Sequence, residues 1–271
     1  MGAIVGAFGT AHIMMKRGSA GDAGERVFAG MREIGRRIRA LAPDLLVIVS
    51  SDHMYNYDLN VQTPFAVAVA DVFTPFGDME LPATPFPGHT SFAAGFIEFA
   101  AEAGFDLARL QGYRPDHGVV IPALFASPRQ TLPVVPLIVN TSMTPIPRAR
   151  RSWDLGRALA RYVAEVRPGG ERTVIVGTGG LSHWLGVPEM GRVNEAFDTT
   201  ALNAITSGRG EDLADWSTEY ILENGGNGGL ELLCWILMAG TVKGGTGDRV
   251  YYEAIPQWIT GMGGVHIHAG S

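Results

Sequence analysis

The chain has 271 residues, 46% of them hydrophobic and 18% charged, which is ample apolar material for a sizeable core. A formal net charge of -6 without a basic block argues against a nucleic-acid partner, and the single cysteine, Cys234, excludes an internal disulfide framework and suits a reducing compartment. Met1 to Gly9 lacks the basic start and long apolar core of a signal peptide, and no apolar run approaches the roughly 20 residues that span a bilayer, so a soluble cytoplasmic protein is expected.

Ala3 to Phe8 predicts a first strand, followed by Gly9-Thr10-Ala11-His12. From Ala23 to Ala42 the apolar residues Val27, Met31, Ile34, Ile38 and Leu41 recur at three- and four-residue spacing, which predicts an amphipathic helix. Pro43-Asp44 ends it. Leu45 to Val49 is an unbroken aliphatic run, typical of a strand buried on both faces, and it leads into Ser50-Ser51-Asp52-His53. A parallel strand-helix-strand unit brings both strand C-termini to one edge, so His12 and His53 are expected to face one another there. A histidine beside an aspartate at such an edge is a metal ligand, a proton carrier, or simply part of a capping cluster.

Leu59 to Gly88 reads as a long surface excursion with one strand at Phe65 to Ala70, and Phe92 to Ala103 as a helix after a capping or surface His89. Arg114-Pro115-Asp116-His117-Gly118 predicts a loop carrying an acid-histidine pair, before the apolar Val119 to Phe125. Leu132 to Val139 is a strand, Asn140 to Pro147 a loop and Trp153 to Val166 a helix. The strand Thr173 to Val176 ends in Gly177-Thr178-Gly179-Gly180-Leu181-Ser182-His183. These glycines lack the spacing and following helix of a nucleotide-binding fingerprint. Asn194 to Ile205 and Asp212 to Leu222 are helical stretches. Glycine-rich Gly225 to Gly229 then opens an apolar helix, Leu230 to Ala239, with Glu231 in its first turn. A helix dipole favours a carboxylate there, but among leucines an unpaired one costs several kcal/mol, which a bound cation would remove. Arg249 to Trp258 predicts a closing strand pair, leaving His266 and His268 in a glycine-rich tail as solvated side chains rather than ligands.

Two histidines and a glutamate at the mouth of one sheet are the ingredients of a two-histidine, one-carboxylate iron site; three unrelated structural residues are the alternative. His117 and His183 are left as candidates for proton transfer.

Taken in order, Gly9-Thr10-Ala11-His12, Ser51-Asp52-His53, Asp116-His117-Gly118, Gly177 to His183 and Gly228-Gly229-Leu230-Glu231 resemble the type II extradiol dioxygenases of the LigB superfamily, over nearly the whole chain. That is the family of protocatechuate 4,5-dioxygenase, gallate dioxygenase and the 2,3-dihydroxyphenylpropionate dioxygenases. The resemblance implies a single catalytic domain over residues 1–271, an α/β fold with a central mixed, largely parallel sheet flanked by helices. It implies one Fe(2+) ion on His12, His53 and Glu231, His183 as catalytic acid-base, and His117 as a second active-site histidine. The implied reaction is extradiol (meta) ring cleavage of a small catechol-type aromatic substrate with O2. Rival readings are the same chemistry on an o-aminophenol or hydroxypyridone ring, a non-catalytic metal-binding homologue, and a zinc hydrolase. The expected assembly is a homo-oligomer, with a small lid subunit as a further partner. Lys16 and Arg17 are either substrate-carboxylate anchors or ordinary surface cations, and Phe65, Phe73, Phe76 and Phe86 are the candidates for lid residues in the excursion.

Overall fold

The computed structural model describes residues 1–12, 18–57 and 60–269, so Lys16 and Arg17 lie outside the described residues. Strand β1 (Ala3–Thr10) precedes α1 (Gly21–Ala40), which buries Val27, Met31, Ile34 and Ile38 at the predicted spacing. β2 (Leu45–Ser50) is buried at every position, as its aliphatic run requires. The excursion contributes β3 (Phe65–Ala68) and the short antiparallel pair β4 (Val72–Phe73) and β5 (Phe86–Pro87). Helix α2 (Thr90–Glu102) is capped by His89, whose Nδ1 accepts from the Phe92 amide. β6 (Ala108–Leu110), α3 (His117–Ala126), β7 (Val134–Val139), α4 (Ala149–Val166) and β8 (Arg172–Thr178) follow. The last third holds α5 (Glu195–Thr206), α6 (Thr218–Gly225), α7 (Leu232–Thr241), β9 (Gly247–Ile255) and β10 (Thr260–His268).

The strands form an eight-stranded sheet in the order β6-β3-β7-β2-β8-β1-β10-β9. Its centre, β7-β2-β8-β1, is parallel, while β10 runs antiparallel to both neighbours and β3 antiparallel to β7. One face packs against α1 and α3, with Phe8, Leu46, Ile48, Val174 and Val176 beneath them. The other carries α2, α4, α5 and α7 over Val47, Val49, Leu137 and Ile175. Helix α7 is buried along its whole length, as a helix apolar on all sides must be. Its Gly240 and Gly156 of α4 let the two backbones cross in contact, since a Cβ on either would strike the other helix's carbonyl groups. No helix among the described residues is long and apolar enough to cross a membrane.

Several local expectations are corrected. Asp116-His117 is not loop: the Asp116 carboxylate accepts from the Gly118 amide at 3.0 Å and caps α3, making His117 its first residue. The stretch Asp212 to Leu222 divides into a 3-10 turn, Gly210–Asp215, and α6, because the Ser217 side chain caps a new helix by accepting from the Tyr220 amide. The Arg249 to Trp258 strand pair is instead β9 and β10, joined through Pro256–Trp258 and Ile259 at φ 58°. The glycine-rich tail is thus an interior strand. A Cβ at Gly264 would overlap the Tyr251 ring and one at Gly261 the Asp198 carboxylate, so these glycines mark close packing rather than looseness. His266 is correspondingly buried, not solvated. Among the lid candidates, Phe65, Phe73 and Phe86 belong to the core; Phe76 alone reaches the surface, stacked on Tyr55 at 4.2 Å.

Candidate active site

The site lies beyond the carboxyl ends of β1, β8 and β2, where an open α/β sheet offers its crevice. His12 follows β1, His53 follows β2 and His183 follows β8. His117 opens α3 on one face of the sheet, while Glu231 closes the 3-10 turn Gly228–Glu231 that leads into α7 on the other. The structure brings all of these residues together. One ring nitrogen each of His12, His53 and His117 lies within 4.8 Å of the others. Glu231 Oε1 stands 3.3 Å from His12 Nε2 and 3.1 Å from His53 Nε2, and Oε2 is 3.9 Å from His183 Nε2. His12, His183 and Glu231 are buried; His53 and His117 are partly exposed.

Hydrogen bonds assign the protons. Pro122, inside α3, has no N–H to give to the carbonyl of Gly118 one turn earlier. That carbonyl instead accepts from the Thr178 hydroxyl at 3.1 Å. The Thr178 oxygen, its proton committed, accepts from His12 Nδ1 at 3.2 Å. His12 therefore carries its proton on Nδ1, and Nε2 presents a lone pair. Burial also lowers the His12 pKa, against the pull of Glu231, and favours this neutral ring. His12 Nε2 is buried and makes no hydrogen bond, yet it faces the Glu231 carboxylate oxygen. Two lone pairs confronting each other in a buried pocket fit a cation between them.

His53 Nδ1 bonds Asp116 Oδ2 at 2.9 Å, and the His53 amide donates to the same oxygen at 3.1 Å. Burial works to lower the His53 pKa, but Asp116 and Glu231 outweigh it and raise it to about 10 in the metal-free protein. Burial likewise works to raise Glu231 and Asp116, and the adjoining histidines overcome it, holding both carboxylates below their ordinary values. His117 Nδ1 pairs in the same way with Asp78, whose pKa is lowered by His117 against the effect of burial. A carboxylate behind each imidazole fixes the ring and raises its basicity, as metal-ligating histidines require.

Glu231 also accepts from the Ser51 hydroxyl and from the Gly180 amide, each at 2.7 Å. His183 Nδ1 donates to the Leu181 carbonyl at 3.0 Å, which turns Nε2 toward Glu231 and the site. The turn bearing His183 is anchored on Asp198: Ser182 donates both its amide, at 2.7 Å, and its hydroxyl, at 3.0 Å, and Tyr252 donates at 2.8 Å. The glycines of the two motifs make room. A Cβ on Gly228 would overlap the His183 ring, and one on Gly179, at φ 141°, would press on the Glu231 side chain.

Sequence reasoning missed Asp78, Ser51, Thr178 and Asp198 as contributors. Ser51 and Thr178 fell inside quoted motifs without a role. Asp78 is flanked by two left-handed residues, Gly77 (φ 85°) and Met79 (φ 52°), and only the Gly77 turn hints at it.

Residues 5–263 match the family described as the catalytic LigB subunit of aromatic ring-opening dioxygenase. A 2,3-dihydroxyphenylpropionate/2,3-dihydroxicinnamic acid 1,2-dioxygenase of Photorhabdus laumondii is 27% identical, covering 92% of each chain. Its namesake from a Mycobacterium species is 29% identical, over 81% of this chain and 84% of the relative. Among solved structures, an uncharacterized protein from Escherichia coli K12 shares the fold at a TM-score of 0.57 and 17% identity, covering 97% of this chain and 99% of the other.

Proposed function

The chain belongs to the LigB family of aromatic ring-opening dioxygenases, and on that premise we propose that it cleaves a catechol-type ring beside its vicinal hydroxyls, using one Fe(2+) ion held by His12, His53 and Glu231. It is an oxidoreductase whose reaction places both atoms of O2 in the product. The observation that carries the metal assignment is the buried His12 Nε2, its lone pair fixed by Thr178 and opposed to Glu231 Oε1 at 3.3 Å.

The metal, when bound, supplies Lewis acidity toward the substrate's vicinal oxygens and the one-electron chemistry that O2 requires. Everything else falls to the chain. Two neutral imidazoles and one carboxylate offset one of the ion's two charges and leave the site attractive to a singly deprotonated catechol. Thr178 and Asp116 take the Nδ1 side of His12 and His53 in hydrogen bonds, so that Nε2 of each ring is the nitrogen turned toward Glu231. His183, its Nδ1 held by the Leu181 carbonyl, accepts a proton from a substrate hydroxyl at Nε2 and returns it when the ring opens. His117, backed by Asp78 and adjoining the His12 and His53 rings, is a second proton carrier. The excursion that supplies Asp78 also carries Phe76, which stacks on Tyr55 at 4.2 Å with the Arg114 guanidinium 4.9 Å from its ring. Cys234 is a free, buried thiol, in keeping with the reducing cytoplasm, where we place the enzyme.

The substrate class is tested by anaerobic Fe(2+) loading followed by oxygen uptake with a panel: 2,3-dihydroxyphenylpropionate, catechol, protocatechuate, gallate, o-aminophenol and a dihydroxypyridine. Oxygen uptake with a new yellow product on a catechol is expected; activity confined to o-aminophenol or the pyridine would transfer the assignment to those rings. Glu231→Ala should lose bound iron, read by metal analysis of the desalted protein. Stoichiometric iron in that variant would refute the ligand set and shift it to His12, His53 and His117, whose nitrogens are also clustered.

A further inference from the structure

We propose that the α1-facing side of β9 and β10, beside the last turn of α1, holds a second divalent transition-metal ion, of the zinc type, on Asp248, His266 and His268. The site is separate from the cluster at the sheet's carboxyl edge. It is built from strand register. Antiparallel pairing sets His266 of β10 directly opposite Asp248 of β9, and His268, two residues on, projects from the same face. A bulge decides the partner. Gly264 pairs with Tyr251, but Val265 pairs with Arg249, so one residue of β9 is skipped between them. Without that skip His266 would face Arg249, a cation; with it, His266 faces a carboxylate.

The three side chains converge. One ring nitrogen of each histidine and a carboxylate oxygen of Asp248 lie within 4.8 Å of one another, and His268 Nε2 is 3.5 Å from Asp248 Oδ2. The second indication of a ligand is His266 itself. It is only 8% exposed, its ring is stacked on Phe8 at 4.2 Å and 7°, and neither ring nitrogen has a hydrogen-bond partner. A residue wanted only for packing on Phe8 would need no nitrogen at all. Asp248 and His268 are each 58% exposed and can swing the short distance inward that coordination at about 2.0–2.2 Å asks for, while His266 stays fixed by its stack. Two imidazoles, one carboxylate and a water complete a tetrahedral set suited to a borderline divalent ion rather than to calcium or magnesium. Arg37, whose guanidinium lies 3.2 Å from Asp248 Oδ2 and is also tied to Glu33, is the resident competitor for that carboxylate.

Zinc is titrated calorimetrically into the Fe(2+)-loaded protein, anaerobically, and into the variants His268→Ala, Asp248→Asn, His266→Phe and Glu231→Ala. The wild type should bind one equivalent of zinc beyond its iron. His268→Ala and Asp248→Asn, which alter exposed side chains, should weaken this event at least about tenfold while leaving iron content and ring-opening rate unchanged. His266→Phe keeps the stack on Phe8 and should abolish it. Glu231→Ala should retain it. Equal zinc affinity in wild type, His268→Ala and Asp248→Asn, or an event lost only with Glu231→Ala, would overturn the proposal, as would the absence of any zinc event in the wild type.

Discussion

Thr178 shows how much of a reactive site is decided by residues that never touch the reacting atoms. Its hydroxyl proton goes to Gly118, its oxygen takes the proton of His12, and Nε2 is left to face Glu231. The five residues that the structure gathers were legible in the sequence as a group because each sits at a strand end or helix start, in a recurring pattern of small residues followed by histidine or glutamate; the roles proposed for them come from the family resemblance. Their supporters were not. Thr178 is 166 positions from His12, and Ser51 is 180 from Glu231, so no spacing announces them. His183→Ala should lower turnover by about 10²–10⁴-fold, the usual worth of a positioned proton carrier, with iron content unchanged; oxygen uptake and metal analysis on one preparation check it, and loss of iron would reassign the residue. His53 supports a further expectation. Metal ions take the neutral imidazole, whereas in the metal-free protein Asp116 and Glu231 raise His53 to about 10. Near neutral pH, Fe(2+) loading should therefore expel about one proton per site, seen as acidification in a weakly buffered anaerobic titration, and iron affinity should fall as pH falls. Loading without proton release would show that His53 is already neutral.

Elements whose identity is set locally were read correctly. The aliphatic run of β2 and the three- and four-residue spacing in α1 survive in the structure with boundaries shifted by a few residues. Elements set by their neighbours were not. The tail after Trp258 looked loose because Gly261, Gly263 and Gly264 carry no side chain to pattern, yet those glycines are what let β10 fit against Leu181, Asp198 and Tyr251. Likewise α3 read as a loop plus an apolar run, since Gly118 and Pro122 both argue against a helix. Pro122 has a use that only the folded helix reveals: it leaves the Gly118 carbonyl free for Thr178. Pro122→Ala should restore the helical N–H and compete for that carbonyl. Thermal stability should hold or rise, while iron retention against a chelator drops several-fold, because His12 loses its fixed tautomer. Unchanged retention would mean that Thr178 holds His12 without help from α3.

At the scale of the whole molecule, the expectation that β1 and β2 end at one edge is met, but the two strands are not neighbours. β8 lies between them, and so places His183 between the strands that carry His12 and His53. Strand order of this kind has no signature in a single sequence; it follows from how α1 and α3 fill one face while α4 and α7 fill the other. The site draws on both faces and on both ends of the chain. That arrangement has a consequence in time. Loop closure over such separations comes late, after local helices and turns have formed. His12 leaves the ribosome early but can meet neither Thr178 nor Glu231 until most of the chain has followed it. On the proposed ligand set, metal capture is then a post-synthetic event: the ligands do not meet until nearly the whole chain has been made, and metal uptake would signal that folding has finished.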